Sequence, residues 1–105
     1  MQSLSILIQP SQSDAFQPED AIALAKSLGR YPEVDRDKQT GEVVLNFFSE
    51  NLPLLWSQLV KGMFNDEELG EWLQSVSIVV CDPVDGGRDE LLLYHFDEDE
   101  ELDEF

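Results

Sequence analysis

Residues 52–64 read Leu-Pro-Leu-Leu-Trp-Ser-Gln-Leu-Val-Lys-Gly-Met-Phe, with Leu52, Leu55, Trp56, Leu59, Val60, Met63 and Phe64 at offsets 0, 3, 4, 7, 8, 11 and 12. That spacing lines one face of a helix and suits no strand. Ser49 or Asn51 can cap it, and Pro53 falls within the first turn, where its missing N–H costs nothing. A shorter helix is predicted to start at Asn65, with Glu68 completing a variant capping box and Leu69, Trp72 and Leu73 facing inward.

The flanking segments alternate instead. Downstream, Val76–Cys81 and Glu90–Phe96 read as two strands joined through Asp82–Asp89, whose Gly86-Gly87 pair favours a hairpin. A turn centred there sets Ile78 opposite His95, Val79 opposite Tyr94, Val80 opposite Leu93 and Cys81 opposite Leu92, with apolar side chains on both faces. Upstream, Tyr31–Asp37 and Glu42–Phe48 form strand, turn, strand around Lys38-Gln39-Thr40-Gly41. Before them, Ala21, Leu24, Ala25 and Leu28 give a narrow apolar stripe over residues 18–28, opened by Pro18-Glu19-Asp20 and closed by Gly29. Ser3–Gln9 is the first strand and stops at Pro10.

The order is therefore strand, helix, strand, strand, two helices, strand, strand. It contains βαββαβ, the ferredoxin-like split βαβ pattern, with one strand added at the C-terminal end. The predicted class is α+β: a two-layer sandwich whose mainly antiparallel sheet is covered by helices on one face. Its other face is left to meet a loop, a partner or a second copy of the chain. Residues 1–96 make a single domain and residues 97–105 an acidic tail predicted to be disordered, because seven of its nine residues are Asp or Glu and none is basic.

The 105 residues suit one core. With 23 acidic and 6 basic side chains the formal charge is -17, and without the tail it is still -10. Such a surface opposes direct nucleic-acid binding, which draws on Lys and Arg, and equally an anionic membrane. No apolar run reaches the roughly 20 residues of a membrane span. No Lys or Arg precedes Lys26, so the charged opening of a secretory leader is missing, and one cysteine forms no internal disulfide; both point to the cytoplasm.

Catalytic signatures are sparse. His95 is the sole histidine and reads as a strand side chain, while Cys81 lies among valines beside Asp82, the wrong charge for a thiolate. One His and one Cys cannot supply intrachain structural zinc. Tested as calcium loops, Asp82–Leu93 lacks oxygen ligands at Val84 and Gly86, and the set beginning at Asp35 places Thr40 where Gly belongs. Asp82, Asp85, Asp89 and Glu90, and likewise the set beginning at Asp35 and Asp37, are left as weak, non-selective loci for calcium or magnesium. Neither glycine-rich phosphate motif occurs, so no cofactor is expected. Trp56 and Trp72 read as core.

Charge is what exceeds the needs of folding, since about 2 to 8 units keep a small domain soluble. The first functional expectation is a non-enzymatic interaction or regulatory module binding a basic protein. That partner would be a nucleic-acid-binding protein whose DNA the acidic face imitates, or a basic toxin or ribosomal surface, the chain then serving as an inhibitor or immunity protein. Asp97, Glu98, Asp99, Glu100, Glu101, Asp103 and Glu104 are the predicted partner-binding residues. The alternative is a small-ligand-binding or catalytic ferredoxin-like domain, a homodimer joined through the open sheet face, drawing on Arg30, Tyr31, Arg36, Tyr94 or His95.

Overall fold

Alternating burial along one central strand organises the molecule. A computed structural model describes residues 2–83 and 90–103. In β1 (Gln2–Ile8), Leu4, Ile6 and Ile8 are fully buried while Ser3, Ser5 and Leu7 are only half covered. Around it β2 (Glu33–Arg36), β3 (Val43–Ser49), β4 (Ser77–Cys81) and β5 (Leu91–His95) complete an open sheet in the order β2-β3-β1-β4-β5, antiparallel throughout. Val43, Leu45 and Phe47 of β3 and Val79 and Cys81 of β4 share the buried face of β1.

Three helices among the described residues complete the fold. In α1 (Pro18–Ser27), Ala21 and Ala25 enter the core, and at its start Gln17 N–H donates to Asp20 Oδ2 while Asp20 N–H donates to Gln17 O, each at 2.9 Å. The helix ends in a reversal at Gly29, whose φ of 81° suits a residue without Cβ, and Arg30 N–H reaches back to Ala25 O at 3.0 Å. The loop Asp37–Glu42 closes the β2–β3 hairpin, and Asp37 Oδ1 accepts from Gln39 and Thr40 N–H. Those bonds, Gln39's foremost, hold the Asp37 carboxyl below its ordinary pKa.

Three local expectations are corrected. The regular part of the decisive helix, α2 (Leu52–Leu59), gives way to a π-helical turn over Val60–Phe64, in which Asn65 N–H donates to Val60 O at 2.9 Å. The wider turn still brings Met63 and Phe64 into the core. Asn65 therefore closes one turn and does not open the next helix. It is Asp66 that caps, its Oδ2 accepting from Glu68 and Leu69 N–H at 3.0 and 2.9 Å ahead of α3 (Gly70–Val76). At the β4–β5 pair, Ile78 lies opposite His95 and Val79 opposite Tyr94 as expected, but Val80 faces Leu92 and Cys81 faces Leu91. A bulge leaves Leu93 over, and the extra residue turns into the core at 6% exposure. Gly86 and Gly87 lie outside the described residues.

Gly70 has a different reason from Gly29. A Cβ at Gly70 would stand 2.6 Å from the carbonyl oxygen of Phe64, so the close passage of α3 against the π turn requires a bare Cα. The cap of α2 is the simplest local test. Asn51 Oδ1 accepts from Leu54 N–H at 3.1 Å, and Asn51→Ala is expected to cost about 1 kcal/mol, read as a lower urea midpoint at unchanged slope.

Candidate functional site

The acidic residues divide by type. Several aspartates accept from nearby backbone amides, Asp66 and Asp37 as above and Asp97 Oδ1 from Asp99 N–H at 2.9 Å, while Asp82 Oδ2 reaches across the sheet to Ser3 N–H at 2.8 Å. A short side chain reaches a neighbouring amide with little loss of freedom. Glutamates do not follow this pattern. Within the described residues their side chains enter two bonds, Glu42 with Gln9 and Glu19 with Arg36. The Glu19–Arg36 contact at 2.8 Å is the one ion pair among the described residues, and both partners are more than half exposed. Negative charge thus stays on the surface without internal neutralisation.

The tail extends that surface from β5. Asp97 N–H donates to His95 Nδ1 at 2.9 Å, and Glu100 N–H donates to Asp97 O at 3.2 Å, which turns the chain back. It then runs beside β5, where Asp103 N–H donates to Leu92 O at 2.7 Å and Asp103 Oδ2 accepts from Leu92 N–H at 2.8 Å. Asp97, Glu98, Asp99, Glu100, Glu101 and Asp103 are all exposed, so the geometry gathers six of the seven named carboxylates along one margin of the sheet; Glu104 lies outside the described residues. The Asp103 contact had no signal in a run of like charges. Tyr94 braces the same strand by donating its hydroxyl to Gln74 O at 2.6 Å. Burial, with help from the charge of Glu98, raises the Tyr94 pKa.

His95 and Cys81 sit in different settings. His95 Nδ1 is engaged by the tail's turn, and its ring lies 4.7 Å from that of Phe96. Cys81 is 3% exposed, and burial together with the charge of Asp82 pushes its thiol up to about 11 from 9.0. An acid whose folded pKa is raised favours the fold while protonated, so that contribution is complete below pH 9 and lost as pH climbs toward 11. Thiol labelling at pH 8 is expected to be about a hundredfold slower in native protein than in urea, followed by absorbance of the released aromatic thiol.

The remaining candidates are scattered. Arg36 on β2 and Tyr94 and His95 on β5 lie at opposite edges of a five-stranded sheet, about 19 Å apart across four strand spacings. Tyr31 is 75% exposed, and Arg30 hydrogen-bonds Gln58. No group of three His, Cys, Asp or Glu side chains converges on a metal-sized site among the described residues, which exclude Asp85 and Asp89 of the proposed cation locus. Trp72 is 4% exposed and Trp56 half-buried against Phe64, so both belong to the core and its margin.

The fold and this margin define an α+β protein with an open five-stranded antiparallel sheet and an unneutralised acidic surface. Compared with known proteins, the chain matches no family model, no curated protein and no solved structure. No helix of the described residues is long and apolar enough to cross a membrane.

Proposed function

We propose that the chain is a non-enzymatic interaction or regulatory module that captures a basic protein partner through its acidic surface, with the tail carboxylates Asp97 to Glu104 leading the encounter. The observation that carries this reading is the single ion pair among the described residues of a chain with 23 acids. Charge left without internal partners is available to an external one, and its field accelerates association with opposite charge. The fold is proposed to be ferredoxin-like, a reading supported by the order β2-β3-β1-β4 with β5 appended. Affinity capture from a cytoplasmic lysate tests the function. A basic protein retained at low salt and released at high salt supports it, whereas a captured set indifferent to salt refutes the electrostatic origin.

One observation favours a second reading, a homodimer joined through the open sheet face. Val44, Leu7 and Ile78 form an apolar row across the uncovered face, followed by Val80 and Leu92. Ser5 and Asn46, bonded to each other at 2.6 Å, interrupt it. Sedimentation equilibrium decides: a dimeric mass supports this reading and a monomeric mass at all concentrations removes it.

A further inference from the structure

We infer that a second site, separate from the acidic margin, binds a small organic anion, a carboxylate or phosphate monoester carrying an apolar portion, between the C-terminal end of α1 and the π turn. A concavity of about 510 Å³ opens there, lined by Leu28, Gly29, Arg30, Gln58, Lys61 and Gly62 among others. Small-molecule sites span about 300–1,000 Å³, so the space suits a ligand of several heavy atoms.

Its charge runs against that of the chain. Acids outnumber bases nearly four to one in the sequence, yet two of the six basic residues line this cavity and no acid does. Lys26, in the last turn of α1, adds a third cation at the same end of the helix. The Arg30 guanidinium is held by Gln58 Oε1, which fixes one side of the group before any ligand arrives. A positioned guanidinium and a mobile ammonium make a complementary pair for an oxyanion: one supplies directed donors, the other an adaptable point charge.

Backbone and apolar walls fit the same ligand. The carbonyls ending α1 would repel an anion, but Ala25 O and Lys26 O already accept from Arg30 and Gly29 N–H at 3.0 Å each. At Gly29 nothing lies within 4 Å of where a Cβ would stand, so ligand can approach the main chain closely. Leu28 is 42% exposed, and its side chain lies over Gly62, where a Cβ would meet Leu28 Cδ1 at 2.5 Å. This exposed leucine is the wall for the apolar portion.

This inference stands apart from the basic-partner reading and fails or survives separately. The test is a titration of the full chain with phenyl phosphate, benzoate and inorganic phosphate, followed by backbone amide NMR. Phenyl phosphate or benzoate is expected to produce saturable shifts at Gly29, Arg30 and Gly62, with inorganic phosphate about tenfold weaker for want of an apolar portion. Arg30→Gln and Lys61→Gln are each expected to weaken binding about tenfold, and Lys61→Arg to restore most of it. Both side chains lie outside the core, so dispersed spectra of the variants establish that the fold is kept. Non-saturating shifts in the wild-type chain, or unchanged affinity in the Arg30→Gln, Lys61→Gln double variant, overturn the site. Inorganic phosphate binding as tightly as phenyl phosphate overturns the apolar requirement.

Discussion

Trp72→Ala is expected to cost about 3–5 kcal/mol, enough to leave a domain of this size close to unfolding. Three losses coincide. The indole is 4% exposed in the core, its ring meets Phe16 edge-on at 6.0 Å, and its Nε1–H donates to Ser13 O at 3.1 Å. The last bond ties the irregular segment before α1 to α3, so truncation opens a cavity and also frees a loop that covers the helical layer. Urea unfolding followed through the fluorescence of the remaining Trp56 measures the effect. A shift below about 1 kcal/mol would mean that Phe16 and its neighbours collapse into the space and that the indole is not the anchor.

The tail is expected to govern the speed of capture more than its strength. Neutralising Asp97, Glu98, Asp99, Glu100 and Glu101 to their amides, while retaining Asp103, is expected to slow association with the captured basic partner about tenfold at low salt. Keeping Asp103 preserves both bonds to Leu92, so the fold at β5 is held constant while charge changes. Dissociation should change little, since exposed charges act mainly on the encounter. Stopped-flow association across a salt series reads both quantities. The gap between wild type and variant must close near molar salt, where the screening length falls to about 3 Å. Equal association rates at every salt concentration would remove the tail from the mechanism, even if the body still binds.

What the sequence disclosed followed its periodicities. Leu4, Ile6 and Ile8 alternate in the chain and are buried together in β1, and the offsets from Leu52 to Phe64 mark a face that is indeed inward, because side-chain period and burial are the same physical fact. Three features carried no such period. The π turn at Val60–Phe64 leaves the apolar offsets nearly unchanged while altering hydrogen bonding, so an α helix and a widened turn look alike at that point. Leu93 sits in an apolar run that accepts either facing, and only packing against the helices selects the bulge. Asp66 prevailed over Asn65 because both residue types cap, and the choice rests on where the preceding turn ends.

The same limits applied to the candidate site. Counting carboxylates located the tail as an anionic segment, but nothing in its composition indicated that Asp103 would fasten itself to Leu92. Arg30 was singled out as a polar instrument, while Lys61, thirty-one positions later, has no sequence relation to it and joins it only through the packing of α1 on the π turn.

The Asp103–Leu92 clasp also bears on how copies of this chain tolerate crowding. A sheet that is not closed into a barrel ends in two rims of free amides and carbonyls, each a template on which another molecule can polymerise. On one rim β2 is four residues long, follows Pro32 and carries Glu33 and Asp35, a short and charged border. On the other, β5 is longer and opens with three leucines, and the returning tail occupies both hydrogen-bonding groups of Leu92 while surrounding them with repulsive charge. The returning tail thus leaves Leu92 no free backbone group on which a neighbouring strand could build, and a chain cut before Asp103 loses that cover.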